Sequence, residues 1–82
     1  MNVKPLRSDL QEFLEKHNLT KKFDKQIKIF ASNSRHPSLH TEILEPKELR
    51  LYSFRIDRKY RTIFAFTLSG DVEIIDINLH YQ

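Results

Sequence analysis

Five side chains of this 82-residue chain are of types that move protons or hold charge on phosphorus: Glu42 in TEIL, Arg55 in SFRID, Arg61 in YRTIF, and His80 and Tyr81 in the closing DINLHYQ. Together they supply what a phosphodiester needs in order to react without a metal. Cations stabilise the charge that develops on phosphorus, and a general base and a general acid move the protons. An unperturbed imidazole titrates near ~6.5, which suits His80 to either proton role. Each residue also has a plainer reading. Arg55 and Arg61 could be strand-surface cations paired with Asp57 or Glu73, Glu42 a solvent-facing strand residue, and His80 a strand end.

Other chemistries lack their residues. The sequence has no phosphate-binding glycine loop and no nucleophile elbow, and histidines at 17, 36, 40 and 80 are not spaced as a ligand set. No metal and no cofactor are expected. The absence of cysteine removes disulfides and thiolate metal sites and fits a reducing compartment. No apolar run approaches the roughly 18 to 20 residues of a membrane span, and MNVKPLRSDL lacks the apolar region of a secretory signal. A soluble, cytoplasmic protein without a membrane partner is expected.

The net charge is +3, and its distribution says more than its size. Residues 46–61 carry Lys47, Arg50, Arg55, Arg58, Lys59 and Arg61 against Glu48 and Asp57, whereas residues 62–82 carry Asp71, Glu73 and Asp76 and no Lys or Arg. The basic charge gathers around one hairpin. Such a cluster is a nucleic-acid footprint or a solvated face whose cations guard a sheet edge.

The elements that must hold these residues follow from periodicity. A chain this short buries only roughly 60% of its unfolded surface, so residues 1–82 are expected to form a single domain. Leu10, Phe13, Leu14 and His17 recur at helical spacing, predicting a helix over 8–17 with Ser8 as its cap and Asp9 and Glu12 near its positive end. Asn18 breaks it and Thr20 caps a second, with Phe23, Ile27 and Phe30 inward. Lys21, Lys22, Lys25 and Lys28 lie opposite, most simply as a solvated face and secondarily as a contact for ribosomal RNA. Pro37 ends the helical region. From residue 41 the period becomes alternating, in TEIL, LYSFRID, YRTIFAFTL and VEIIDINLHY, with DRKY and SGD as turns. NVKPL could add a short edge strand. Tyr52 and Tyr60 are expected to pack rather than to stack on bases. The expected fold is α+β: an N-terminal helical hairpin packed on a small twisted antiparallel sheet of three to four strands.

Register decides whether the two arginines cooperate. A two-residue turn at Arg58 and Lys59 pairs Arg55 with Thr62 and puts Arg55 and Arg61 on opposite faces. A bulged three-residue connection shifts the register by one and brings them to one face.

The run RHPSLHTEIL, the hairpin LYSFRIDRKYRTIFAF and the strand GDVEIIDINLH resemble the RelE/ParE superfamily of bacterial toxins over roughly residues 8–81. The central hairpin is the most specific part. The resemblance implies an endoribonuclease that cuts messenger RNA, commonly on the ribosome, and that a cognate antitoxin holds inactive in a complex that can grow to a higher-order assembly. The nearest site pattern is YoeB-like. By that pattern Glu42 is the base, His80 the acid or an exchanging acid and base, Arg61 the phosphate ligand and Tyr81 a positioning group; beside them Arg55, Arg58 and Lys59 are the candidate substrate-binding cations. The chain closes with YQ where many members continue, and its short leading strand leaves an edge to which an antitoxin could add a strand or helix. The same resemblance admits a non-nuclease toxin of the ParE branch acting on DNA gyrase. An inactive basic module that binds antitoxin or RNA is the third reading.

Overall fold

The computed structural model describes residues 2–79. Two helices, α1 (Ser8–Lys16) and α2 (Thr20–Ser32), precede β1 (Glu42–Ile43), β2 (Tyr52–Arg55), β3 (Tyr60–Phe66) and β4 (Val72–Leu79), with short 3-10 turns at Pro37–Leu39 and Lys47–Leu49. The strands form one antiparallel sheet in the order β1-β2-β3-β4. The α+β fold with its helical hairpin and four-stranded sheet is therefore the one the sequence predicts.

The helix ends are built differently from expectation. Ser8 and Thr20 are the first helical residues rather than caps, and neither N-terminus has a side-chain cap. At α1 the Arg7 guanidinium instead bonds Asp9 at 3.0 and 3.1 Å, which draws a carboxylate to the positive end of the helix. At α2 the capping position belongs to Leu19, whose side chain is 2% exposed. Burying that leucine sets where the helix begins. Asn18, in the left-handed region at φ 59°, reverses the chain, and the Leu19 N–H then donates to the Leu14 carbonyl at 2.7 Å.

The helices cover one face of the sheet. Phe30 stacks on Phe54 at 5.1 Å between centroids and meets Phe64 edge-on at 4.9 Å, while Phe23 packs against Phe54 at 6.3 Å. Leu10, Leu14, Leu39, Val72, Ile74 and Ile77 complete this layer. Tyr52 stacks on Phe64, and the Tyr60 ring meets Phe13 and His17, so both tyrosines pack against protein.

A bulge in β4 decides what the opposite face carries. Val72 and Ile74 both point to the core, and strict alternation from them would bury Asp76 and Asn78 next. The register shifts instead: Ile63 pairs with Asp76 but its neighbour Phe64 pairs with Ile74, leaving Ile75 as the extra residue. Ile77 thereby enters the core at 3% exposure, and Asp76 and Asn78 turn to the other side. The doublet Ile74–Ile75 is where the sequence accommodates this.

The leading segment makes one parallel bridge, Val3 with Val72, supported by Lys4 N–H to Val72 O and Val72 N–H to Asn2 O at 2.8 Å each. The expected edge strand from NVKPL is reduced to that contact. Among the described residues, the outer edge of β4 beyond Val72 has no strand partner.

Candidate active site on the open face of the sheet

The hairpin register resolves the question of the two arginines. Arg55 pairs directly with Arg61, and Phe54 with Thr62. Of the two connections the bulged one forms rather than the two-residue turn: both the Ile56 and Asp57 N–H groups donate to the Tyr60 carbonyl, at 2.9 and 3.3 Å. Its anchor is Asp57, whose Oδ1 accepts from the Lys59 and Tyr60 N–H groups at 2.8 and 2.9 Å. An Asp side chain bonding forward to backbone N–H groups stabilises such a turn. Both arginines consequently leave the core side and stand on the open face.

Pairings across all four strands arrange that face in two rows. One runs Glu42, Ser53, Ile63, Asp76; the next runs Arg55, Arg61, Asn78. Ser53 and Ile63 are buried, 3% and 6% exposed, at the centre of the first row. Glu42 is exposed, and Arg55 and Arg61 are half-buried. Glu42 stands two strands and one row from Arg61, about 12 Å in Cα separation from sheet spacings. Side chains of those lengths can close on one phosphodiester between them.

Arg61 is held. Its Nε donates to Asn78 Oδ1 at 3.3 Å, and Asn78 Nδ2 donates to Asp76 Oδ2 at 3.4 Å. Using Nε this way leaves both terminal nitrogens of the guanidinium for an anion. Asn78 and Asp76 were not singled out from sequence. Their signal was the isoleucine doublet, which demands a bulge if both Ile74 and Ile77 are to be buried.

The plainer pairings of Arg55 or Arg61 with Asp57 or Glu73 do not form among the described residues. Asp57 bonds Lys22 Nζ at 3.3 Å, and Glu73 faces Ala65. Burial pushes the Asp57 carboxyl up, but the Tyr60 and Lys59 N–H groups and the Lys22 ammonium outweigh it and hold it below its ordinary value. Lys22 is therefore partnered rather than simply solvated. Arg58 and Lys59 are exposed in the turn beside the arginine pair. His80 and Tyr81 lie outside the described residues. Among the described residues, no three of His, Cys, Asp and Glu come together as a metal site, and no helix is long and apolar enough to cross a membrane.

The sequence matches no protein-family profile and no curated protein. Its structure does match. A "YoeB/ParE toxin from Agrobacterium tumefaciens" superposes with a TM-score of 0.71 at 19% identity, covering 99% of this chain and 100% of that one. A "YoeB-YefM complex from Staphylococcus aureus" gives 0.69 at 18%, with 99% and 100% covered. A heterotetrameric YoeB-YefM toxin-antitoxin complex from the same organism gives 0.67 at 20%, with 98% and 94% covered. At these identities the likeness is one of fold, and it extends over nearly the whole chain.

Proposed function

We propose that this chain, which has the fold of the YoeB/ParE toxins, is the toxin of a type II toxin-antitoxin pair and a metal-independent endoribonuclease that cuts messenger RNA at the ribosome. The observation that carries the reading is that Glu42, Arg55 and Arg61, remote in sequence, share the one sheet face the helices leave open.

In the proposed reaction the RNA 2′-hydroxyl attacks the adjacent phosphorus. Glu42 takes its proton, the bond from the 2′-oxygen to phosphorus forms, and the bond from phosphorus to the 5′-oxygen breaks. His80 donates a proton to the departing 5′-oxygen, leaving a 2′,3′-cyclic phosphate. Arg61, steadied by Asn78, stabilises the charge on the equatorial oxygens. Tyr81 positions the substrate, and Arg55, Arg58 and Lys59 bind its backbone. DNA lacks the attacking hydroxyl and is not cut.

The proposed setting is the cytoplasm and the proposed partner a cognate antitoxin, in line with the complexes in which folds of this kind are found. The part of the β4 edge without a strand partner among the described residues offers it a place to add a strand, and a larger toxin-antitoxin assembly is proposed with it.

Expression of the wild type and of Glu42→Ala, Arg61→Ala and His80→Ala, with primer-extension mapping of cellular transcripts, tests this. New cleavage ends should accompany growth arrest by the wild type and fade in each variant. Arrest without new ends would remove the nuclease and favour a ParE-like action on gyrase. A wild type harmless without its antitoxin would favour the inactive module.

A further inference from the structure

β1 pairs with β2 only at Ser53 and Tyr52, so the edge of β2 at Arg55 is left to α2 and the turn Pro37–Leu39. Gln26, 7% exposed, ties the three together: its Nε2 donates to the Arg55 carbonyl at 2.7 Å and to the Ser38 carbonyl at 3.2 Å. Beside this tie lies a cleft of about 400 Å³. Lys22, Lys25, His40, Arg55, Asp57 and Arg58 line it.

Its charge is one-sided in effect. Asp57 is the acid in the lining, and its carboxylate is already committed to the turn N–H groups and to Lys22. Among the described residues no acceptor engages the side chains of Lys25, Arg55 or Arg58, and Arg55 Nε is buried without a partner. Cations drawn together without their own acceptors suit an external anion, because a charge-assisted bond supplies what the desolvated donor lacks.

We propose that this cleft is a second phosphate subsite, holding a backbone phosphate next along the single RNA strand whose scissile phosphate lies at Arg61. The assignment rests on the ribonuclease reading above. Arg55 belongs to both places: it faces Arg61 across the hairpin and lines the cleft. The open face also dictates the direction of exit. Towards β4 it ends in Asp76 and Glu73, which repel a phosphate. Among the described residues, the hairpin end offers the strand positive charge past Arg55 and Arg58 to Lys25.

The test is binding of a single-stranded oligoribonucleotide made uncleavable by 2′-O-methylation, followed by fluorescence anisotropy over a range of salt. Lys25→Gln and Arg58→Gln should each weaken binding about tenfold at low salt and flatten the plot of log K against log salt by about 0.7, one phosphate contact on a single strand. Lys28→Gln, which removes the same charge from α2 outside the cleft, should change neither. Equal effects from all three would mean diffuse surface charge and overturn the subsite, as would unchanged slopes or a wild type that does not bind. A loss seen only in sedimentation with ribosomes would assign the contact to ribosomal RNA and also overturn it. Circular dichroism establishes that the variants fold. Because the oligonucleotide cannot be cut, failure here leaves the transcript-mapping result standing, and failure of the mapping leaves the binding result standing.

Discussion

Arg55 and Arg61 are direct cross-strand partners, two cations facing each other on the open side of the sheet. Like charges so placed oppose folding, and a buried donor without an acceptor, as at Arg55 Nε, costs about 1–3 kcal/mol. The arrangement is adverse for the free protein and favourable once an anion lies between the pair.

Replacing Arg55 by methionine should therefore stabilise the protein while weakening its hold on RNA. We expect a rise of about 1 kcal/mol, or about 4–8 °C in Tm for a domain of this size. Thermal unfolding beside oligonucleotide binding measures both. A lower Tm would mean that Arg55 is a structural cation.

In the proposed reaction Asn78 positions Arg61, through the 3.3 Å bond from Arg61 Nε. Asn78→Ala should leave the fold intact and lower kcat about tenfold or more, since small errors in placing a charged group are costly in rate. KM should change less. A kcat equal to that of the wild type in single-turnover assays would remove Asn78 from the site.

Thr62 is wholly buried, and its Oγ1 has no hydrogen-bond partner among the described residues. Valine has nearly the same shape without the hydroxyl, so Thr62→Val should stabilise by about 1 kcal/mol. Phe30→Ala, which empties the space between Phe54 and Phe64, should cost about 3–5 kcal/mol. Urea denaturation of both variants compares the two effects. Destabilisation by Thr62→Val would point to an unseen acceptor.

Acid should loosen the hairpin through Asp57. Its folded pKa lies below the ordinary value, so its contribution is complete above an unfolded pKa of about 3.9 and is lost as the pH falls through the lower folded value. The stability difference between wild type and Asp57→Asn should accordingly shrink as the pH drops from about 5 to 3. A difference independent of pH over that range would show that the carboxylate's charge is not what holds the turn.

Much of this protein was legible in its sequence because local chemistry specifies it. Helical spacing of Leu10, Leu14, Phe23 and Phe30 determined two amphipathic helices, the change to alternation after residue 41 determined the strands, and Pro37 determined where one regime ended. Side-chain chemistry singled out Glu42, Arg55 and Arg61 as candidates. What the sequence left open was which of them meet. A shift of one residue sends a strand's side chains to the opposite face, and the register here is decided by contacts no local pattern contains: the Asp57 carboxylate lengthening the hairpin connection, and the bulge at Ile75 that lets both Ile74 and Ile77 reach the core. Those tertiary choices brought Arg55 opposite Arg61, set Asn78 beside it and turned both arginines to the open face. Periodicity could assign each residue to a strand, but only packing across the sheet could assign it to a side.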